Sequence, residues 1–414
     1  MRTGSGFLFL LTGFIVFFLS SGCGKQDETV AVSQNMLSMA DSLMDKPLTA
    51  YQYELLDIAF ETATMIPVKP HIKDRSRAQE KVVVASLELD QPQRVMGLIE
   101  KIDNWRRGAC LAELAFYCAR HGYTEEALKY AERAGKIADS DKDWRGDRIR
   151  VKIANAYILL GQPRQADQFE EDVVDSELGK VAVAKAMIAC DECFDEQLEE
   201  LDRFMVQGNF DVLKNVLKAA AELFNRFYED PDRRSLAEEK LKSSWGTLPA
   251  FIRLELLADL IGFALDHGDQ GKALELIDEA QLFMDTFEWP LEYYIQLRAK
   301  LVELRFRAGD KQRAGTDADV LLAIFDAQGE EIVNIYRAGT LRPLAEAYVS
   351  LGDITTAKAV YKRAVEAGID NPNSRPRAED LSATCISMAL HGVEPDAELL
   401  ARIQQIYEGL GDPW

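Results

Sequence analysis

The chain has 414 residues, of which 47% are hydrophobic and 28% are charged, and its formal net charge is −21. A chain of this length and apolar content can bury a continuous core, which excludes disorder of the whole chain. Its acidity repels phosphate backbones and anionic lipid headgroups, and no run of basic residues offsets it. The sequence therefore argues against nucleic acid as a partner.

Residues 1–22 are predicted to be a signal peptide. Arg2 precedes an apolar run, Phe7 to Leu19, which is too short to cross a bilayer as a helix and matches the apolar core of a secretory signal. Small residues, Ser20 to Gly22, then precede Cys23 in the pattern of a cleavage site. Cleavage there would leave Cys23 as the first residue of the mature chain.

The segment Ser-Ser-Gly-Cys, which ends at Cys23, resembles the lipobox of bacterial lipoproteins. The resemblance implies that Cys23 carries acyl chains and anchors the protein to a membrane. Ser20 departs from the family, which usually has Leu three residues before the cysteine. Gly24, where an Asp would favour the inner membrane, implies the periplasmic face of the outer membrane. The alternative is an ordinary secretory signal with Cys23 left as a free thiol.

Beyond the predicted anchor the sequence divides into three parts. Residues 23–32 are predicted to form a polar tether. Residues 33–72 predict an N-terminal helical region, in which two short helices are broken at Asp45–Pro47 and Thr49 caps the second. Residues 73–414 show apolar residues at helical spacing between turn residues, and no stretch alternates like a strand. The fold class predicted is therefore all-α.

A glycine and an alanine recur at a fixed offset along this third part. The glycines that end apolar helical segments are Gly122, Gly161, Gly268, Gly309, Gly352 and Gly392. Five residues after them stand Ala127, Ala166, Ala273, Ala314, Ala357 and Ala397. Eight residues before them stand Leu114, Ile153, Leu260, Leu301, Leu344 and Thr384. One offset repeated in this way indicates an internal repeat.

The repeat is interpreted as a helical hairpin. Glycine takes the left-handed conformation that ends the first helix, and alanine lies where the second helix packs closest against the first. Stacked hairpins of this kind form an α-solenoid. Between Gly161 and Gly268 we expect two more hairpins without the glycine, around residues 193–204 and 225–242. The segment 395–410 is predicted to be a C-terminal capping helix.

The unit Leu344-Ala345-x-Ala347-Tyr348-x-x-x-Gly352-Asp353-x-x-x-Ala357-x-x-x-Tyr361-x-x-Ala364 resembles the tetratricopeptide repeat family. The units that end at Gly122 and Gly161 match the family less closely. The family's usual spacing is about 34 residues, whereas these two glycines are 39 residues apart. Longer units leave a HEAT-like interpretation open.

In the tetratricopeptide family the first helix of each hairpin lines a concave face along which ligands lie. The resemblance implies these partner-binding residues: Arg148, Lys152, Asn155, Lys300, Glu303, Phe306, Arg307, Arg342 and Glu346. Basic residues are over-represented among them for so acidic a chain, which favours acidic segments or carboxylate termini of other proteins as ligands. The alternative is that these are solvated residues that balance nearby acids.

No sequence motif for catalysis, phosphate binding or metal binding occurs. His121, His267 and His391 each precede a loop glycine, where an imidazolium interacts favourably with the helix dipole. Different repeats separate them, so we expect no metal site. Cys190 and Cys193 form a C-x-x-C without the context of a redox or zinc site.

The remaining cysteines leave two interpretations. A disulfide among Cys110, Cys118, Cys190 and Cys193 suits an oxidising compartment. Otherwise these are small buried residues, as we expect for Cys385, which stands alone near the end of the chain.

The function predicted is that of a membrane-anchored periplasmic scaffold that binds other proteins, with no enzymatic activity, cofactor or metal. The alternative is an accessory enzyme of the cell envelope, or a lipoprotein that binds polysaccharide or a small ligand. A cluster of converging acids, one of them buried, would favour this alternative.

The anchor yields a first prediction. Cys23→Ser removes the thiol that would be acylated, so we expect the protein to move from the membrane pellet to the soluble periplasmic fraction. The measurement is fractionation followed by immunoblotting. A mutant that stays with the membrane pellet would contradict the lipid anchor.

Overall fold

The computed structural model describes residues 43–414 except 142, 172, 174, 208–209 and 244. The predicted signal peptide, Cys23, the tether and the first short helix of the N-terminal region lie outside the described residues. The described part contains 19 α-helices and no strand, in agreement with the all-α prediction. Within it, no helix has both the length and the apolar character needed to cross a membrane.

In chain order the helices are α1 (Ala50–Met65), α2 (Val68–Glu88), α3 (Pro92–Ile99), α4 (Arg106–Arg120), α5 (Thr124–Ser140), α6 (Trp144–Leu159), α7 (Pro163–Glu170), α8 (Asp175–Met187), α9 (Phe194–Gln207), α10 (Phe210–Arg226), α11 (Pro231–Ser243), α12 (Ala250–Asp266), α13 (Gln270–Asp285), α14 (Leu291–Arg307), α15 (Lys311–Gln328), α16 (Asn334–Ser350), α17 (Ile354–Gly368), α18 (Ser374–Leu390) and α19 (Ala397–Glu408). Single 3-10 turns lie at Asp191–Cys193, Trp245–Thr247 and Gly329–Glu331.

The start of α1 agrees with the prediction of a break followed by a cap. Thr49 is the N-cap of α1, and the Gln52 side chain accepts a hydrogen bond from its backbone N at 3.1 Å. Asp45 precedes the helix, and its Oδ1 accepts from the backbone N of Gln93 at 2.6 Å. This carboxylate therefore binds the N-terminus of α3 and holds the chain against α2 and α3.

The hairpin pattern is confirmed, because all six repeat glycines have φ between 66° and 94°. In each hairpin an even-numbered helix leads into the following odd-numbered helix, and the two pack together. Five of the six repeat alanines are at most 1% exposed. The exception is Ala397, which is exposed because residues 393–396 are not helical and α19 begins only at this residue. The prediction of close packing was wrong at Ala397.

Three hairpins of the described chain turn without a glycine. Asp90, with φ of 54°, takes the left-handed position between α2 and α3. The turn between α8 and α9 contains a disulfide that joins Cys190 and Cys193. Pro231 is the first residue of α11, where a missing N–H costs nothing. The last two hairpins coincide with those expected between Gly161 and Gly268.

The even-numbered helices form a closed ring. Each one from α2 to α16 contacts the next even-numbered helix, and α18 contacts α2. α1 packs against both α18 and α2, and α19 contacts α1 as well as α18. One apolar core therefore runs through residues 43–156 and 295–406, across the meeting point of the two ends. The predicted capping helix α19 covers no free end, because α1 occupies it.

Specific contacts hold this closure. The Tyr51 hydroxyl donates to the carbonyl of Gly392 at 3.0 Å, and Gln52 Nε2 donates to the carbonyl of Ala389 at 2.9 Å. An ion pair joins Arg375 of α18 to Asp74 of α2 at 3.5 Å. A small apolar cluster completes the seam; its members are Ala63, Ile66, Ala78, Ala378 and Leu410, with Met65 and Trp414 packed against them.

Closure predicts energetic coupling between the two ends of the chain. Because Ile66 and Leu410 share one buried cluster, a double-mutant cycle of Ile66→Ala and Leu410→Ala should show a coupling of about 0.5–3 kcal/mol in urea unfolding. The control cycle pairs Ile66→Ala with Leu321→Ala, a buried residue of α15 outside this cluster, and should be additive within about 0.5 kcal/mol. Additivity in both cycles would contradict the closed ring.

Candidate functional site

The ring gives the even-numbered helices a free side that faces its centre. Each of these helices has two even-numbered neighbours, and the odd-numbered helices pack against them from outside. We call this free side the inner face. The residues predicted to bind partners all belong to α6, α14 and α16, which are even-numbered helices.

Several of these residues are tied to the next helix of the ring. Lys152 pairs with Glu113 of α4. Arg307 pairs with Asp266 of α12 at 3.1 Å. The ion pair of Arg342 with Asp380 and the hydrogen bond from Ser387 Oγ to Glu346 Oε1 join α16 to α18, at 3.0 Å and 2.5 Å. Each pair spans 38 to 41 residues, which is one repeat.

The other predicted partner-binding residues differ in how far they are buried. Phe306 packs against the main core, and Lys311 Nζ lies over its ring at 5.2 Å. Glu303 and Asn155 are half-buried, and the Asn155 Oδ1 atom is buried without a hydrogen-bond partner in the described part of the chain. Lys300 is exposed. Phe306 is therefore a packing residue, while Lys300 is available to a ligand.

Lys300 lines a cleft on the inner face between α10, α12 and α14, with a volume of about 270 Å³. Its charged residues, which define the lysine cleft, are Lys214, Lys218, Glu255, Asp259 and Lys300. Lys214 pairs with Glu255 at 2.8 Å. Among the described residues, neither Lys218 nor Lys300 has an ion-pair partner within 4.0 Å. These two ammonium groups can therefore bind an anionic group that enters the cleft.

One acid that lines the lysine cleft, Asp259, interacts with a second acid beside the cleft. Burial raises the pKa of Asp259, while the nearby lysines, Lys218 first, act in the opposite direction. Burial also raises the pKa of Glu222 on α10, and the charge of Asp259 adds to this shift. Two desolvated carboxyl groups thus lie close enough to influence each other. Sequence reasoning missed them because acids are abundant throughout this chain.

Arg148 belongs to a second cleft, at the N-terminal ends of α2, α4 and α6, with a volume of about 440 Å³. We call it the arginine cleft; its basic and aromatic lining is Lys73, Arg77, Arg106, Arg145, Arg148, Trp105 and Trp144. The two indole rings meet edge to face at 5.5 Å, and Trp144 remains 44% exposed. The sequence did not predict this cleft.

The histidines occupy the helix ends predicted for them. His121, His267 and His391 are the C-caps of α4, α12 and α18. His121 stacks on Tyr117 at 4.1 Å, and His267 stacks on Tyr228 at 4.3 Å. Across the described residues, no three His, Cys, Asp or Glu side chains are grouped so that they could hold a metal ion.

The five cysteines of the described residues divide into one disulfide and three buried thiols. Cys190 and Cys193 are joined within the α8–α9 turn. Cys110, Cys118 and Cys385 are buried. Burial raises the pKa of each of these three thiols to about 12, so none is a thiolate at neutral pH.

Comparisons with known proteins add little beyond the fold. No protein-family model matches the chain. No curated protein matches it either. Among solved structures, a match is a protein described as a "Circular tandem repeat protein with novel repeat topology and enhanced subunit contact surfaces", with 15% identity, a TM-score of 0.18, and coverage of 87% of this chain and 94% of that one. The chain is an all-helical repeat protein with a distant likeness to such repeat proteins.

The raised pKa of Asp259 predicts a stabilising substitution. Its folded-state pKa lies above the ordinary value of 3.8, so the ionised form is disfavoured on folding, and this penalty disappears as pH falls through the raised pKa. Asp259→Asn should therefore increase the free energy of unfolding at pH 7, and the gain should shrink towards pH 4. Urea unfolding at both pH values measures this.

A matched control substitution, at Asp269, should change the free energy of unfolding in the opposite direction. The pKa of Asp269 is lowered, chiefly by the hydrogen bond from the backbone N–H of Lys272. The ionised form of Asp269 therefore stabilises the fold above its unfolded pKa, and this contribution is lost as pH falls. Asp269→Asn should destabilise the protein at pH 7. A destabilising Asp259→Asn at pH 7 would contradict the account of the lysine cleft.

Proposed function

We propose that this protein is a lipid-anchored scaffold of the bacterial cell envelope that binds acidic segments of other proteins on the inner face of its ring. The anchor follows from the lipobox-like segment that ends at Cys23. The periplasmic face of the outer membrane is the location that this segment favours. The assignment to tetratricopeptide-like repeats follows from the unit 344–364 and from the buried alanines that pack its hairpins.

The observation that carries the proposal is the pair of lysines in the lysine cleft. Most cations predicted to bind a partner are already matched by acids on a neighbouring helix. Lys300, which was predicted to bind a partner, and its neighbour Lys218 have no ion pair within 4.0 Å among the described residues, and Asp259 acts on both only at longer range. A carboxylate that enters the cleft would gain charge-assisted hydrogen bonds from both, in a half-enclosed site where such bonds are stronger than in water.

Charge also guides the approach of a ligand to this site. The outer surface of a chain with a net charge of −21 repels acidic segments. The lysine cleft offers such segments a local exception, so complementarity at this one place would select the orientation in which a partner docks. The proposal therefore assigns specificity to the cleft and solubility to the acidic exterior.

A second function is favoured by Asp259, which lines the same cleft, together with Glu222 of α10, which interacts with it. Glu222 and Asp259 have raised pKa values, and paired carboxyl groups of this kind serve as acid and base in glycoside hydrolysis. An accessory enzyme of the envelope, or a protein that binds its polysaccharides, would use them. Glu222→Gln with Asp259→Asn should then abolish hydrolysis or binding of isolated envelope polysaccharide. If the unchanged protein neither hydrolyses nor binds the polysaccharide, this second function is excluded.

The proposed scaffold predicts a defined loss of partners. Lys218→Gln with Lys300→Gln removes both cations while the volume of the side chains is nearly kept, so we expect the fold to remain and one or more specific partners to be lost. The measurement is crosslinking in intact cells, purification of the full chain, and comparison of the captured proteins by mass spectrometry.

The control variant has two other lysines, on the outside of the ring, replaced by glutamine. Lys129→Gln with Lys136→Gln changes two exposed lysines of α5 and should leave the set of partners unchanged. Thermal unfolding of both variants checks that they are folded. An identical set of partners for the unchanged chain and the Lys218/Lys300 variant would overturn the proposal.

A further inference from the structure

The arginine cleft concentrates positive charge on an acidic protein. Three first helices of neighbouring hairpins contribute to it, α2 with Lys73 and Arg77, α4 with Arg106, and α6 with Arg145 and Arg148. Asp141 is the one acid that lines it within the described chain. α4 and α6 both begin at the cleft, so the positive ends of two helix dipoles add to its field.

These cations repel one another. The pKa of Arg106 is lowered by burial and, beyond burial, by the charges of Arg77 and Arg148. Guanidinium groups that interact across three helices destabilise the fold unless something compensates them. A cluster of like charges held at such a cost is a feature of sites that bind the opposite charge.

The aromatic rings hold the guanidinium groups in place. Arg106 lies over the ring of Trp105 at 4.8 Å, and Arg148 lies over the ring of Trp144 at 4.8 Å. Arg145 lies over the same Trp144 ring at 5.2 Å. Because cation–π contacts restrict these long side chains before a ligand arrives, less conformational entropy is lost when it binds.

Nearby acids neutralise part of this cluster. Glu80 pairs with Arg106, and Asp143 pairs with Arg145 at 2.6 Å. Arg77 is exposed, and within the described chain its one ion pair is a long contact with Asp74, at 3.9 Å. Lys73 is exposed and has no ion pair among the described residues within 4.0 Å. Lys73 and Arg77, on one wall of the cleft, therefore retain capacity for an anion.

We propose that the arginine cleft binds a phosphate group. A carboxylate has two oxygens and is served by a single guanidinium fork, whereas a phosphate monoester has three free oxygens and up to two negative charges. Several guanidinium groups and an ammonium group around one cleft match the phosphate. Trp144, which is 44% exposed, would pack against the apolar part of the same ligand. This site is separate from the lysine cleft and does not depend on the proposed binding of proteins.

The phosphate can come from a soluble phosphorylated compound or from a lipid headgroup, and one experiment separates the two. The full chain carrying Cys23→Ser, which excludes an acyl anchor, is titrated at low salt with inorganic pyrophosphate and, for comparison, with succinate. We expect saturable binding of pyrophosphate, weakened by added salt, and binding of succinate at least about tenfold weaker.

Variants of the cleft test the residues. Arg77→Gln with Arg148→Gln should weaken pyrophosphate binding by about tenfold or more. The affinity of the variant with Arg77→Lys and Arg148→Lys should lie between those of the unchanged chain and the glutamine variant, because lysine keeps the positive charge but loses the bidentate hydrogen bonds of the guanidinium group. The control, Arg164→Gln with Arg203→Gln, changes two exposed arginines of α7 and α9 and should bind as the unchanged chain does. Thermal unfolding confirms the fold of each variant.

Sedimentation with vesicles identifies the source of the phosphate. Binding to phosphatidylcholine vesicles that contain phosphatidic acid, but not to phosphatidylcholine alone, and release by pyrophosphate would assign the site to a headgroup. Binding of pyrophosphate without binding to either vesicle would assign it to a soluble compound. Absence of saturable pyrophosphate binding, equal affinity for succinate, or an equal loss in the control variant would overturn the proposal.

Discussion

The packing of α1 between α18 and α2 is the interaction on which the rest of the structure depends. Stacked helical hairpins bury apolar surface only against their neighbours, so the first and last hairpins of an open array need polar caps. Here the two ends supply that surface to each other, and one apolar core joins residues 43–156 to residues 295–406. Closure in turn gives the even-numbered helices a common inner face, on which the lysine cleft lies.

The sequence predicted the hairpins well wherever the local backbone geometry favours one type of residue. A left-handed residue at a helix end favours glycine, and a close helix contact favours alanine, so both leave marks at a fixed offset. Asp90 takes the same left-handed turn without glycine and was missed for that reason. Closure could not be predicted, because it joins residues such as Tyr51 and Gly392, which are 341 positions apart and carry no shared motif.

The binding surface was predicted less well than the fold. The resemblance to tetratricopeptide repeats implied which cations bind a partner but not their own ion pairs, so Arg307 and Arg342 were assigned to ligands although Asp266 and Asp380 already pair with them. The sequence did contain a signal for these ion pairs. The acid and the arginine of each pair lie one repeat apart, so they are on neighbouring helices of the ring. The lysine cleft and the arginine cleft are each lined by residues of three helices. Which residues of three helices meet depends on the curvature of the ring, and the sequence pattern of a single repeat does not reveal this curvature.

Closure also changes how the molecule comes apart. In a linear array the terminal repeat has one neighbour and unfolds first, from the end inward. In the ring every hairpin has neighbours on two sides, so no repeat is a weak end and we expect the array to unfold more cooperatively than a linear one. The same connection makes folding slow, because the final contacts form only after segments from opposite ends of the chain have met.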